Sequence, residues 1–253
     1  MRLLAGIALL ATLAAGAAAQ DARRSAFDLM SPQNQALQRD DFSNPAMLAV
    51  ADGEALWSAR PGAEARSCAE CHDDARQTMR GVAARYPRFD ERLGKPVDLA
   101  GRVNLCRTRN QNATAFRPES AELLALSAYV GLQSRGMPIA PDDDPRLAPF
   151  RAEGARLYNQ RLGQLDLSCA QCHDERAGLR LGGAPIPQAH PTGYPLYRLE
   201  WQAIGSLQRR FRNCMTGVRS EPYPFEADEY VALELFLMSR AAGMPLETPA
   251  VRP

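Results

Sequence analysis

The residues best equipped for chemistry are Ser67-Cys68-Ala69-Glu70-Cys71-His72 and Ser168-Cys169-Ala170-Gln171-Cys172-His173. Each contains Cys-x-x-Cys-His, the attachment pattern of c-type haem. The spacing follows from the chemistry. Two thiols three positions apart reach the two vinyl groups of one porphyrin, and the adjacent imidazole is carried beneath the iron as proximal ligand. Cys-x-x-Cys also serves dithiol redox motifs and zinc sites. A zinc centre would pair two such units in one site, whereas these stand 101 positions apart (Cys68 to Cys169), each followed by His. The pattern predicts two covalently bound haem c groups, each with its iron. One sits on Cys68, Cys71 and His72, the other on Cys169, Cys172 and His173.

Four of the six cysteines are used in this way, leaving Cys106 and Cys214. In an oxidising compartment two spare cysteines often pair. They could also be buried thiols, or thiolate ligands on the distal side of each iron. The duplication described next favours ligation, because equivalent positions in tandem units each face their own haem. A disulfide would need the two Cα atoms within about 7 Å across the domain boundary. Met79 and Met215 remain competitors for the distal position. Met137 and Met244 follow the terminal helices and read as packing residues. His190, the histidine outside the motifs, lies in a Pro- and Gly-containing stretch and reads as a surface or loop-fixing residue.

The elements that must position these residues repeat. Gly53, Leu56 and Trp57 before the first motif match Gly154, Leu157 and Tyr158 before the second, at the motif offset of 101 (Gly53 to Gly154). Cys106 matches Cys214 at an offset of 108. A helix predicted over Pro118 to Gln133 carries Leu123, Leu126, Tyr129 and Val130 at helical spacing. Its counterpart over Ala227 to Ser239 carries Tyr230, Leu233 and Leu237. Both lead to Gly-Met-Pro, a helix stop signal. Each unit therefore reads as helix, haem motif, long loop with a lone Cys, and terminal helix. Strand signals are sparse. The expected fold is all-α, two tandem cytochrome c-like domains, over 45–138 and 146–253, joined by a linker at 139–145.

Ahead of the first domain, 20–44 reads as a polar arm packed on the surface. Residues 1–19 combine Arg2, an apolar Leu- and Ala-rich run and Ala17-Ala18-Ala19, the pattern of a secretory signal peptide. No later run approaches the roughly 18 apolar residues of a membrane helix. Export to the periplasm and no membrane span are expected. The formal net charge is +1, and loss of Arg2 brings it to neutral. Bulk charge thus gives no support for nucleic-acid binding. The cations are nonetheless uneven, since Lys95 is the only lysine.

Arginines crowd one thiol. Arg209, Arg210, Arg212 and Arg219 lie within five residues of Cys214. Positive charge raises the thiolate fraction of a cysteine, and guanidinium groups bind small oxyanions in bidentate fashion. Around Cys106 there are Arg102, Arg107 and Arg109, without an Arg-Arg pair. A basic face preceding a helix is the plain alternative; a redox site that binds an anion is the functional one.

At this point the chain resembles the A-subunit family of the SoxAX cytochromes of bacterial sulfur oxidation, in its dihaem form. The resemblance is most specific in Tyr197-Arg198-Leu199-Glu200-Trp201-Gln202, Gly205-Ser206-Leu207-Gln208-Arg209-Arg210 and Cys214-Met215-Thr216-Gly217-Val218-Arg219. It implies a heterodimer with a small monohaem SoxX-like cytochrome. It implies an S-thiosulfotransferase that joins thiosulfate oxidatively to a cysteine of a SoxYZ-like carrier and releases two electrons. It implies that Cys106 ligates the first haem, that Cys214 ligates the second and carries a persulfide, and that Arg210 contacts substrate. Arg198 and Arg180 are further candidates for holding the sulfonate end. The alternatives are a dihaem electron carrier without sulfur chemistry and a thiosulfate dehydrogenase that makes tetrathionate.

Overall fold

A computed structural model of the chain describes residues 21–62 and 65–253. The expected signal peptide lies outside the described residues. An arm containing α1 (Pro32–Arg39) leads into the first half: α2 (Ala46–Ser58), α3 (Ala69–His72), α4 (Ala75–Thr78), a hairpin of β1 (Arg88–Asp90) and β2 (Lys95–Val97), α5 (Leu99–Asn110) and α6 (Ala121–Leu132). The second half repeats the order: α7 (Ala148–Asn159), α8 (Cys169–His173), a small hairpin of β3 (Arg180–Leu181) and β4 (Ala184–Pro185), a hairpin of β5 (Leu196–Arg198) and β6 (Ala203–Gly205), α9 (Leu207–Gly217) and α10 (Asp228–Arg240). The chain closes on β7 (Ala250–Arg252), which pairs in parallel with β5. Helices dominate, as expected for tandem cytochrome c-like domains; the strands are two or three residues long and were not legible as strands.

Each half is built on one crossed helix pair, α2 with α6 and α7 with α10. Small residues set the crossing. A Cβ on Gly53 would lie 2.2 Å from the Ala125 carbonyl oxygen, and one on Gly154 would lie 2.0 Å from that of Ala232. Aromatic rings fill the space alongside: Trp57 meets Tyr129 at 5.9 Å, and Tyr158 meets Phe236 at 5.3 Å between ring centroids. Helix α6 starts at Ala121, later than the periodicity suggested, because Ser120 caps it by accepting from the Leu123 N–H.

The two Gly-Met-Pro segments pair with each other. Gly136 N–H donates to the Leu246 carbonyl and Leu246 N–H to that of Met137; Ile139 N–H donates to Met244 and Gly243 N–H to Ile139. Ile139, placed in the linker by its sequence surroundings, is thus fixed in this ladder and 1% exposed. The arm crosses the C-terminal strand: Gln38 Oε1 accepts from Val251 N–H, and Asn44 Nδ2 donates to the Pro249 carbonyl.

Candidate haem and thiol sites

The lone cysteines do not sit in loops, as expected, but on helices. Cys106 is on α5 and Cys214 on α9. Both helices grow directly from a hairpin and begin at a capping side chain. Asp98 accepts from Gly101 N–H at the start of α5, and Ser206 accepts from Arg209 N–H at the start of α9. The Arg-rich stretch is therefore the helix itself rather than a face ahead of one. Each lone thiol faces its own motif: Cys106 lies within electrostatic reach of Cys71 and Cys68, and Cys214 of Cys169. All six cysteines are free of disulfides, so Cys106 and Cys214 are not joined.

In the second half the capping box of Ser168 and Gln171 sets the start of α8. His173 Nδ1 is 2.7 Å from the Pro187 carbonyl oxygen. A donor Nδ1–H fixes the ring and leaves Nε2 free to ligate, the usual arrangement behind a metal-bound imidazole. Cys214 lies within electrostatic reach of the same ring. Phe211 and Phe236 pack beside Cys169 against Tyr158, Leu233 and Leu237, an apolar wall suited to a porphyrin face. Cys169, Cys172, His173 and Cys214 thus fit a covalently held haem with a sulfur ligand opposite the imidazole. In the first half Cys68, Ala69, Met79, Leu99 and Val103 pack against the Trp57–Tyr129 core, and His72 lies 5.9 Å from Trp57. Cys68, Cys71, His72 and Cys106 form the matching set. Met79 belongs to that core, and Met215 is buried beneath the Tyr230 hydroxyl.

The electrostatics of the two lone thiols diverge. Burial pushes the Cys106 thiol up, and Arg102 and Arg109 offset only part of that. Burial also pushes Cys214 up, but His173, Arg210 and Arg198 outweigh it and bring the thiol below its ordinary value. The four flanking arginines have separate roles. Arg209 lies 4.2 Å over the Trp201 ring. Arg212 bonds the Tyr223 carbonyl and stacks on Phe225. Arg219 is exposed. Arg210 is half-buried, one turn before Cys214, and forms no ion pair among the described residues. Arg180 is exposed in its own hairpin, donating to the Gly183 carbonyl.

Sequence reasoning missed four participants. Pro187 is the carbonyl that orients His173. Asp90 is the carboxylate that holds Arg102 and Arg109, each at 2.9 Å. Tyr86 and Tyr194 lie beside Arg102 and Arg210 respectively. The 108 offset would have found the last two, because it runs back unbroken through both hairpins to Tyr86-Pro87 and Tyr194-Pro195. His190 departs from expectation in another way. Both ring nitrogens are buried without partners, and burial with the charges of Arg240 and Arg23 brings its pKa down to about 4, so it is a neutral interior imidazole.

Comparison with known proteins places the chain among its relatives. The SoxA/TsdA cytochrome c domain pattern matches residues 52–139 and 153–246. The SoxA subunit of L-cysteine S-thiosulfotransferase from Pseudaminobacter salicylatoxidans is 36% identical over 85% of this chain and 76% of its own length. The Rhodovulum sulfidophilum SoxA subunit is 34% identical over 92% of this chain and 81% of its own. The crystal structure of SoxXA from P. pantotrophus superposes with a TM-score of 0.87 at 34% identity, over 91% of this chain and 87% of that one. The chain belongs to the SoxA/TsdA cytochrome c family and, as a cytochrome c, carries covalently bound haem c.

Proposed function

We propose that this chain is the haem-bearing subunit of an L-cysteine S-thiosulfotransferase that works in the periplasm beside a small SoxX-like cytochrome. The observation that carries the reading is Cys214. It is a lone thiol one helical turn from Arg210, which has no ion-pair partner among the described residues; it lies near the imidazole of a haem motif and is held below the ordinary thiol pKa. Arg210 holds the sulfonate oxygens of thiosulfate by charge-assisted hydrogen bonds. The sulfane sulfur is thereby presented at Cys214, whose thiolate forms an S–S bond to it with loss of two electrons. The thiolate of a SoxYZ-like carrier cysteine then displaces Cys214 from that sulfur, so that the carrier becomes an S-thiosulfonate and Cys214 leaves as thiolate. Bound haem supplies the one-electron redox capacity that accepts the two electrons. The residues that hold it are Cys169, Cys172, His173 and Cys214 in the second half, and Cys68, Cys71, His72 and Cys106 in the first.

The test uses the purified complex with the carrier protein. Mass spectrometry should show two haem masses on this chain, and a thiosulfate-dependent mass gain on the carrier that vanishes with Cys214→Ala. Tetrathionate formed without a carrier would replace this reading with that of a thiosulfate dehydrogenase. One haem in place of two would overturn the site assignment.

A further inference from the structure

The two hairpins are the same length and superpose in sequence without a gap, yet their charges run in opposite order. Position by position at the 108 offset, Asp90 corresponds to Arg198, Arg92 to Glu200, and Arg102 to Arg210. In the first half the end of β1 reaches α5: the Asp90 carboxylate meets Arg102 at 2.9 Å and Arg109 at 2.9 Å. That ion pair shows that the hairpin position and the helix position face each other in this fold. In the second half the same two places are held by Arg198 and Arg210; Glu200 pairs with Arg198, and no carboxylate pairs with Arg210 among the described residues. Glu200 binds Arg198 through Nε, at 2.7 Å, and the guanidinium lies 5.4 Å over the Trp201 ring; its terminal nitrogens have no hydrogen-bond partner among the described residues. Cys214, Tyr194 and Glu200 each feel both guanidinium charges. Like charges held together at a half-buried position call for a counter-anion.

We propose that Arg198 and Arg210 form a two-guanidinium cradle for the sulfonate end of a small sulfur oxyanion at Cys214, and that the reversed charge order of the hairpin confines anion binding to the second half. The inference rests on the thiosulfate reading above. In the first half Asp90 occupies the anion's place from within the chain.

The test grafts the first hairpin's polarity onto the second. The double variant R198D/E200R leaves the net charge unchanged and installs an order that this fold already accommodates at Asp90 and Arg92. Thiosulfate binding to the holo-complex, measured by calorimetry, should weaken about tenfold to hundredfold. KM for thiosulfate should rise more than kcat falls. Arg198→Gln, which requires no new ion pair, should weaken binding in the same direction, and Arg198→Lys should recover part of the loss. Unchanged affinity and KM in R198D/E200R and Arg198→Gln, with binding still lost in Arg210→Ala, would remove Arg198 from the cradle while leaving the thiosulfate reading intact. If the wild-type complex neither binds nor conjugates thiosulfate, both fall.

Discussion

Cys106 and Cys214 occupy the same place on the same helix of a repeated unit, and their surroundings differ mainly in the fate of positive charge. Around Cys106 the guanidiniums are tied down. Asp90, 4% exposed, binds Arg102 and Arg109 and also accepts from the Leu93 N–H. Around Cys214 the counterpart of Asp90 is itself a cation. One site is internally neutralised and the other is left to attract an anion. On the proposed reading, a duplicated scaffold keeps the surroundings of one lone thiol neutral and turns the other toward an anion by changing hairpin residues, without altering the helices that carry the thiols.

This contrast can be broken at several points. The largest effect is expected from the thiols themselves: Cys214→Ala should abolish sulfur transfer to the carrier, whereas Cys106→Ala should shift one haem potential and lower activity only in part. Equal loss in both variants would mean that ligation alone, not charge, distinguishes the halves. Next comes Asp90→Ala. It strands two partly buried guanidiniums, and removing one partner of a buried pair costs roughly 3–5 kcal/mol; the lower end applies here because both arginines keep some exposure. Thermal unfolding should register the loss while thiosulfate affinity at the second site holds. The difference from wild type should also depend on pH. Arg109 foremost, with Arg102, holds the folded Asp90 carboxylate at about 2, below its unfolded value near 4. Its stabilisation is full above about pH 4 and fades as pH falls toward 2, so the two melting curves should converge over that window.

Arg210→Ala should weaken thiosulfate-dependent turnover by about 1.5–3 kcal/mol, the value of a hydrogen bond to a charged group, with both haems still attached. Arg210→Lys should restore only part, since an ammonium cannot make the bidentate contact. The smallest change is expected from Trp201→Ala. Trp201 engages Arg209 at 4.2 Å, a contact worth about 0.5–1 kcal/mol at a solvent-accessible site, so KM should shift by only a few-fold. A loss as large as that of Arg210→Ala would place Trp201 in the binding site itself.

Much of this molecule could be read from its residues. The haem motifs, the paired Gly-aromatic helices and the terminal helices all follow local rules of spacing and periodicity, and those are what sequence shows directly. The lone cysteines were found, but their helices were not. Val103, Asn104 and Leu105 do not make a clean apolar stripe, and α5 and α9 are defined instead by their caps at Asp98 and Ser206. Strands of two or three residues leave no periodicity to detect. The role of Asp90 was hidden for a different reason: it acts on Arg102 and Arg109 through space, and only the alignment of the two halves across their hairpins makes that reach visible.

The paired Gly-Met-Pro segments bear on the order in which the chain acquires its shape. A polypeptide is made from its N-terminus, and the ladder that completes the first half uses carbonyls and amides of residues 243–246. The first haem-binding unit therefore stays open at one edge until nearly the whole chain has emerged. A cut after Pro138 leaves the first half without the backbone partners that residues 243–246 supply. What reads as two domains in sequence shares one backbone ladder, half of it supplied by residues near the C-terminus.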